Sequence, residues 1–193
     1  MADGINNSIV LMGCKHCGKT TQGKLLAQKL GVDFIDTDDE IGRIRGVDFR
    51  TLYKTKGVTE FTLAEEEACR KIVTEHENGT IVIATGGGIC DNPPALQALR
   101  VCGKFVFLRL DIKHSIGRIM AKIEQTETGA FKNVPAYVLN ENPTSLDQIQ
   151  AILLKKYTER YQQYQTIADI VVDIKNAPVE ENLKTLLGAL SIQ

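Results

Sequence analysis

An octapeptide near the start of the chain, Gly13-Cys14-Lys15-His16-Cys17-Gly18-Lys19-Thr20, constrains the fold more than any other sequence feature. Its spacing of glycines, lysine and threonine is that of a phosphate-binding loop, which joins a strand to a helix. The apolar run 8–12 precedes it, and leucines at helical spacing follow it. The glycines allow successive backbone N–H groups to face inward, and the start of the helix adds a positive potential. The pattern therefore predicts a nucleotide site of the ATP type.

Two side chains of this loop have predicted chemical roles. Lys19 places a positive charge on the β- and γ-phosphate oxygens, and the Thr20 hydroxyl is a predicted ligand of Mg²⁺. Cys14 and Cys17 form a Cys-x-x-Cys pair, a spacing that also occurs at zinc and redox sites. No second ligand pair lies nearby, so we interpret both as ordinary loop residues. The predicted ATP-binding residues of this region are Gly13, Cys14, Lys15, His16, Cys17, Gly18, Lys19, Thr20 and Thr21.

Short apolar runs alternate with helical patterns along the rest of the chain. This alternation is typical of βαβ units with right-handed crossovers and a buried parallel sheet. We therefore predict an α/β fold with three αβα layers, a five-stranded parallel sheet and a P-loop NTPase architecture. The predicted strands are 8–12, 32–35, 80–84, 104–110 and 170–174, and the predicted helical segments are 19–30, 41–46, 61–73, 95–99, 115–123, 146–166 and 179–190, with a short separate segment at 49–53.

The chain length predicts one domain over residues 1–193, since domains usually contain about 100–200 residues. Residues 124–143 are polar and contain Gly129, Pro135 and Pro143. A connection of this length is usually a lid or a disordered segment. We therefore predict a mobile lid over approximately 119–143.

Composition excludes several classes of partner and location. The formal net charge is −1, whereas binding to nucleic acid or to an anionic membrane usually requires a basic excess. The cysteine count of five is odd and the spacing shows no disulfide framework, which is typical of a reducing compartment. The first seven residues contain no basic segment, and no apolar run approaches the roughly 18 residues of a membrane span. We expect a cytoplasmic protein that binds neither nucleic acid nor membrane.

Two further motifs follow predicted strands and indicate an acceptor site. Asp36-x-Asp38 follows the second strand, and Gly86-Gly87-Gly88 follows the third. The carboxyl ends of parallel strands face the ligand crevice. A carboxylate at this edge can hold the shell of a magnesium ion or accept the proton of an acceptor hydroxyl. The glycines let a ligand approach the backbone.

With these motifs the chain resembles the shikimate kinases, which have the nucleoside-monophosphate-kinase-like fold. The resemblance extends from Ile9 to about Leu190, and it is carried by the phosphate-binding loop, residues 34–38, 57–67 and 84–88, and Arg160-x-x-x-Tyr164. It implies a single kinase domain that phosphorylates the 3-hydroxyl of shikimate with MgATP, in aromatic amino-acid biosynthesis. It also implies a monomer.

The resemblance also implies roles for individual residues. Asp38 corresponds to the family's acidic contact with the acceptor hydroxyls and is, with Lys19, a candidate catalytic residue. Asp36 corresponds to the residue that holds the Mg²⁺ shell, alongside Thr20. The implied substrate contacts are Asp38, Gly86, Gly87, Gly88 and Arg160, the last of these on the substrate carboxylate. The implied adenine contacts are Arg118 and Asn176.

The chain departs from the family pattern at two positions. Where the family usually has an arginine after Glu-Phe, this chain has Thr62. In the family that arginine forms half of the clamp on the substrate carboxylate, and threonine cannot make such a two-pronged charged contact. The family's lid carries an Arg-Pro pair whose arginine reaches the phosphates, and the matching pair here is Val134-Pro135.

The departures leave alternatives open. Lys122 or Lys132 can replace the lid arginine, and Arg43, Arg45 or Arg50 can replace the carboxylate arginine unless they are surface charges. Two other functions remain: a kinase of the same fold with another acceptor, such as a sugar acid or a nucleotide, and a degenerate nucleotide-binding protein that regulates a partner.

Two helical patterns have simpler interpretations. Glu65, Glu66 and Glu67 predict a solvated helix face, although the resemblance allows Glu65 to orient an arginine on the substrate side. Tyr157, Tyr161 and Tyr164 recur at helical spacing, which favours core packing over a ligand site.

Overall fold

A parallel sheet forms the centre of the computed structural model, which describes residues 7–77, 79–127 and 129–192. The strands of this sheet are β1 (Ser8–Met12), β2 (Asp33–Asp36), β3 (Ile81–Ala84), β4 (Gly103–Leu110) and β7 (Ile170–Ile174). The strands β5 (Glu124–Gln125) and β6 (Phe131–Lys132) form a separate hairpin. All neighbouring strands of the order β2-β3-β1-β4-β7 are parallel. The predicted five-stranded parallel sheet is confirmed.

Helices cover both faces of this sheet. They are α1 (Lys19–Leu30), α2 (Thr37–Arg45), α3 (Phe49–Glu75), α4 (Pro93–Arg100), α5 (Ile112–Met120), α6 (Ala136–Leu139), α7 (Leu146–Ile167) and α8 (Val179–Ala189), and a single 3₁₀ turn covers Ile89–Asp91. Within the described ranges, no helix is both long enough and apolar enough to cross a membrane.

Side-chain caps determine where most of these helices begin. Asp36, Asp48, Asn92, Asp111 and Ser145 each accept a hydrogen bond from a backbone N–H in the first turn of the helix that follows. Such a cap satisfies a donor that has no partner inside the helix and stabilises the helix by about 1 kcal/mol. The cap at Asp36 also places the start of α2 directly at the carboxyl end of β2.

The alternation of side chains along the strands divides the core between the two faces. Val10 and Met12 of β1 belong to the larger core, which contains residues of α3, α4, α5 and α7. Ile9 and Leu11 point the other way, into a core completed by α1 and α8. The aromatic side chains of α7 lie in the larger core, where Tyr164 and Tyr161 each lie 5.2 Å from the ring of Phe107. The prediction of core packing for these tyrosines is therefore confirmed.

Two segments differ from the sequence prediction. Residues 49–53 belong to the first of two helical parts of α3, and the parts are separated by a kink at Gly57, where φ is 82° and ψ is −177° and the backbone is not helical; the predicted interruption over 54–60 is therefore confined to Gly57. The predicted polar loop 124–143 contains the β5–β6 hairpin and α6. Its apolar residues Val134 and Val138 pack into the larger core, so this part of the lid segment is anchored.

The core on the α1 face can be tested by truncating Leu26, which is fully buried in α1. We expect Leu26→Ala to lower the free energy of unfolding by about 2–5 kcal/mol, because the truncation loses buried apolar area and leaves a cavity. Urea denaturation followed by circular dichroism measures this change. Leu154→Ala in α7 is the matched control, since Leu154 is 49% exposed. A loss of equal size in both variants would contradict the assigned core.

Candidate active site

The phosphate-binding loop joins β1 to α1 and is held in place by close packing. Gly13 has a φ of 141°, and a Cβ built on it would lie 2.8 Å from the carbonyl oxygen of Leu108 and 2.9 Å from Cys17 Sγ. Only glycine fits this position, because the neighbouring backbone of β4 cannot move away. The loop is therefore pressed against the end of β4, at the carboxyl edge of the sheet.

Lys19 lies at the first position of α1 and folds back over this loop. Its ammonium donates to the carbonyl oxygens of Gly13 at 2.8 Å and Cys14 at 3.1 Å. In the part of the chain that the structure describes, the backbone N–H groups of Lys15 and His16 have no acceptor. A buried ammonium and backbone N–H groups without acceptors, directly before a helix start, can form an anion site.

A chain of hydrogen bonds connects this loop to the end of β2. The Thr20 hydroxyl donates to Asp36 Oδ2 at 2.8 Å, and the backbone N–H of Asp38 donates to Asp36 Oδ1 at 3.1 Å. A hydroxyl and a carboxylate oxygen side by side are donors that suit Mg²⁺, which is bound by few protein groups together with substrate phosphates. Thr20 and Asp36 therefore fit the predicted magnesium position. The backbone N–H of Gly86 donates to the Thr37 hydroxyl at 3.0 Å, which ties in the third motif.

Two carboxylates flank the first glycine of the triple-glycine loop. A Cβ on Gly86 would lie 3.0 Å from both Asp38 Oδ1 and Glu65 Oε1. Burial raises the pKa of Asp38 to about 6, and the charge of Asp36 contributes to this rise. Burial also raises the pKa of Glu65 to about 7, against the effect of a hydrogen bond from Asn92. The acceptor side thus contains two close acids, each less acidic than usual.

Glu65 is buried, so the prediction of a solvated face for it is wrong. Only 2% of the residue is exposed, because α3 packs this side against the triple-glycine loop and α4. Its Oε2 accepts a hydrogen bond from Asn92 Nδ2 at 2.9 Å. Its Oε1 has no partner among the described residues.

Arg160 projects from α7 toward the last glycine of the loop. A Cβ on Gly88 would lie 2.7 Å from its Nη2. The guanidinium donates twice to Asp91 Oδ2, at 2.9 and 3.1 Å, and once to the Gly87 carbonyl oxygen at 3.1 Å. Its carbon Cζ also lies 5.0 Å from the ring centre of Tyr137. Asp91 and Tyr137 therefore position the arginine that sequence comparison assigned to the substrate carboxylate.

Arg118 and Asn176 meet at the other end of the loop. Arg118 Nη1 donates to the His16 carbonyl oxygen at 2.7 Å, and Nη2 donates to Asn176 Oδ1 at 2.8 Å. Both line a cavity of about 380 Å³ together with Lys113, His114, Gly117 and Ala121. The geometry thus brings the two predicted adenine contacts together next to the phosphate site.

Cys14 and Cys17 are both buried, as free thiols. They belong to the two different cores of the sheet, and burial strongly raises the pKa of Cys14. Thr21, in contrast, is exposed on α1, and no side-chain hydrogen bond in the described part of the chain connects it to the site.

The two departures from the family pattern leave different local structures. The Thr62 hydroxyl donates to the Val58 carbonyl oxygen of its own helix at 2.9 Å, so its hydrogen-bonding donor is used within that helix. Val134 is buried in the core. Lys122 lies close enough to the loop that its charge lowers the pKa of both Lys15 and His16, after the larger effect of burial.

Three residues of the site were not predicted from the sequence: Asp91, Asn92 and Tyr137. Asp91 and Asn92 belong to the turn that follows the triple glycine, and Tyr137 lies on the short helix α6. Their position close behind the glycine motif was the only sequence signal for the first two, and Tyr137 had none.

The site combines a phosphate-binding loop between a strand and a helix, a carboxylate at the end of the next strand, and a cleft between the two. These features define a P-loop kinase. The sequence profile of the shikimate kinase family matches residues 15–191 of this chain. The shikimate kinase of Francisella tularensis subsp. novicida is 33% identical over 173 residues, which cover 90% of this chain and 88% of that protein.

Solved structures agree with this match. The shikimate kinase of Acinetobacter baumannii in complex with shikimate superimposes with a TM-score of 0.74 at 26% identity, covering 96% of this chain and 93% of that one. That of Bacteroides thetaiotaomicron has a TM-score of 0.73 at 25% identity, covering 96% and 99%. The chain belongs to the shikimate kinase family. It is an ATP-dependent kinase that acts on a hydroxyl group, as predicted, and the assignment favours this function over a regulatory protein without activity.

Glu65 provides a test of the site's electrostatics through stability. The pKa of Glu65 is about 7 in the folded protein and 4.5 in the unfolded chain. Below pH 4.5 the carboxyl group is protonated in both states and does not lower the free energy of unfolding. As the pH rises from 4.5 through 7, the unfolded chain ionises first, and wild-type stability is lost. We expect Glu65→Gln to gain free energy of unfolding relative to wild type between pH 5 and pH 8, by on the order of 2 kcal/mol. Urea titrations at each pH measure the difference.

The exposed Glu159→Gln is the control, and its difference from wild type should stay constant over the same range. A constant difference for Glu65→Gln as well would contradict the raised pKa.

Proposed function

We propose that this chain transfers the γ-phosphoryl group of ATP to the 3-hydroxyl of shikimate, with Mg²⁺ bound. The observation that carries the proposal is the hydrogen-bonded series from Thr20 through Asp36 to Asp38. It joins the nucleotide loop to the acceptor carboxylate at one edge of the sheet. A donor phosphate and an acceptor hydroxyl bound on its two sides would be close enough to react.

On the nucleotide side, Lys19 and the N–H groups of the loop would hold the phosphates. Lys19 donates to two loop carbonyl oxygens, and those bonds can be exchanged for bonds to phosphate. Arg118 and Asn176 would hold the adenine end. Thr20 and Asp36 would hold Mg²⁺, which when bound would neutralise charge on the β- and γ-phosphates.

On the acceptor side, Asp38 would accept the proton of the shikimate hydroxyl. The hydroxyl oxygen would form a bond to the γ-phosphorus, the bond from that phosphorus to the bridging oxygen of ADP would break, and the proton would pass to the Asp38 carboxylate. The pKa of about 6 for Asp38 leaves it mostly ionised at neutral pH and closer to the operating pH than an ordinary aspartate.

Arg160 would bind the shikimate carboxylate. Three of the five guanidinium N–H groups are used by Asp91 and Gly87. The other two have no acceptor among the described residues and can bind a carboxylate. The bonds to Asp91 hold the guanidinium in one orientation, which lowers the entropy that binding would cost.

Closure of the part of the segment 119–143 that precedes the anchored Val134 would exclude water from the nucleotide during the proposed reaction. We assign the role of the missing lid arginine to Lys122, because its charge reaches Lys15 and His16. Lys132 lies on the hairpin, where it pairs in register with Glu124.

The reaction would belong to aromatic amino-acid biosynthesis and take place in the cytoplasm, which the five free cysteines support. We also propose that the chain acts as a monomer, since one chain supplies every residue of the proposed site.

The role of Asp38 can be tested with Asp38→Asn in a coupled assay of ADP release with and without shikimate. We expect the shikimate-dependent rate to fall by about 100-fold or more, because the variant cannot accept the proton. Asp33→Asn, at the start of β2 and away from its carboxyl end, is the control and should retain the wild-type rate. Full activity in Asp38→Asn would exclude it as the base, and a wild type without any shikimate-dependent rate would exclude the acceptor.

The role of Lys122 can be tested by comparison with Lys132, since both lysines are exposed and both lie in the lid segment. We expect Lys122→Ala to lower kcat by about 10-fold or more through loss of a cation at the phosphates. Lys132→Ala should change it by less than about 2-fold, as a surface substitution does. The reverse order of effects in single-turnover measurements would assign the clamp to Lys132.

A further inference from the structure

The charges along the triple-glycine loop change sign from its first glycine to its last. A Cβ on Gly86 would lie 3.0 Å from carboxyl oxygens of Asp38 and Glu65. A Cβ on Gly88 would lie 2.7 Å from Arg160 Nη2. An anionic group of an acceptor is repelled by ionised acids and attracted by a guanidinium, so it would bind at the Gly88 end of the loop.

The charge of Arg160 is opposed by an acid in direct contact with it. Asp91 Oδ2 accepts hydrogen bonds from both Nε and Nη2 of the guanidinium, at 3.1 and 2.9 Å. Because Arg160 is only 8% exposed, salt and water screen this pair weakly. A carboxylate so close cancels much of the attraction that the arginine would exert on an anion. A site formed by these two residues alone would carry no net charge.

Lys156 supplies a further positive charge at this place. It lies one turn before Arg160 on α7, and its ammonium lies 3.3 Å from Oδ1, the other oxygen of Asp91. The carboxylate is therefore shared by two cations, one on each oxygen. The three side chains form an ionic triad of Lys156, Asp91 and Arg160, in which two positive charges and one negative charge leave a net charge of +1.

The three members of the triad are exposed to different extents. The side chains of Lys156 and Asp91 are 32% and 34% exposed, whereas that of Arg160 is 10% exposed. Arg160 thus lies on the inner side of the triad, against the glycine loop, and Lys156 lies on the outer side. A partly exposed charge acts more weakly than a buried one, because solvent screens it. Lys156 would therefore act on an acceptor through the net charge of the triad and without contact.

We infer that Lys156 offsets the charge of Asp91 and so determines the preference of the site for an acidic acceptor. The inference rests on the proposed function, since it concerns the acceptor that Arg160 would bind. Asp91 fixes the orientation of the guanidinium, and this contact by itself would remove the attraction for an anion. Lys156 restores that attraction while the orientation is kept.

The test compares shikimate with shikimate methyl ester, which keeps the three hydroxyls and lacks the charge. Titration calorimetry gives a Kd for each, and the ratio of the two values measures the preference for the charged acceptor. We expect Lys156→Met to lower this preference by about 5-fold, the upper range for a partly exposed ion pair. The KM for shikimate should rise by the same factor, whereas kcat should stay within about 2-fold of wild type, because the reacting groups are unchanged.

A double variant separates charge from geometry. Asp91→Asn combined with Lys156→Met removes one charge of each sign, so the net charge of the triad is unchanged. The amide oxygen can still accept both bonds from Arg160, since both go to one oxygen of Asp91. We expect the preference for the charged acceptor to return to within about 2-fold of wild type, because the attraction follows the net charge.

Three lysine variants test the role of the charge itself. Lys156→Arg keeps the positive charge and should keep the preference for shikimate over the ester. Lys155→Met, at the exposed neighbouring position, is the matched control for Lys156→Met and should bind both compounds as wild type does. The melting temperature and the affinity for ATP should stay close to wild type in Lys156→Met, Lys156→Arg and Lys155→Met.

Each other outcome overturns a definite statement. An unchanged preference in Lys156→Met, or an equal loss of affinity for shikimate and the ester, overturns the role of Lys156. A preference as low in the double variant as in Lys156→Met overturns the account by net charge. In these cases a shikimate-dependent rate in wild type would leave the proposed function intact. A wild type that neither binds nor phosphorylates shikimate overturns the proposed function and the inference together.

Discussion

The backbone of the triple-glycine loop lies against the phosphate-binding loop so closely that a Cβ on Gly87 would be 2.7 Å from the Lys15 nitrogen. This contact joins the carboxyl ends of β3 and β1, and with them the nucleotide half and the acceptor half of the site. Parallel pairing of β1 with β3 sets the spacing, because Leu11 lies in register with Ala84. A side chain at Gly87 would push the two halves apart.

Charge in the site is distributed around this contact. Asp38 and Glu65 lie on one side of Gly86, both with raised pKa values that burial causes. On the other side, the buried Arg160 forms an ion pair of 2.9 Å with Asp91, whose side chain is 34% exposed. Removing Asp91 would leave the charge of the buried Arg160 without its partner, which is unfavourable. Asp91 thus contributes to the site through Arg160, although its only signal in the sequence was its position close behind the glycine motif.

Most of the fold could be predicted from local patterns. The apolar run Ser8–Met12 became β1 with unchanged bounds, because a buried parallel strand is apolar throughout and a glycine ends it. The hairpin at Glu124–Gln125 and Phe131–Lys132 was missed, since two-residue strands carry no periodic signal. The helix break at Gly57 was predicted as a longer interruption, and packing of α2 on α3 held both halves of α3 helical.

The site was predicted unevenly, for a physical reason that Glu65 illustrates. Three successive glutamates on a helix predict a solvated face. In the structure, however, Glu65 is only 2% exposed, while Glu66 and Glu67 reach the surface. Which of them turns inward depends on how α3 rotates against α4 and the triple-glycine loop, and no spacing in the sequence records that rotation.

The sequence by itself determined the nucleotide loop, the parallel sheet and the acids at the strand ends, because each is a local pattern of residues joined by short connections. The tertiary structure alone decided which cations are free. Arg43 pairs with Glu40 of its own helix and also with Glu75 of α3, and Arg45 pairs with two glutamates of α3, whereas Arg50 and Lys15 form no ion pair in the described part of the chain. Pairing of charges depends on distances of a few ångströms between separate elements, and only the packed fold sets those distances.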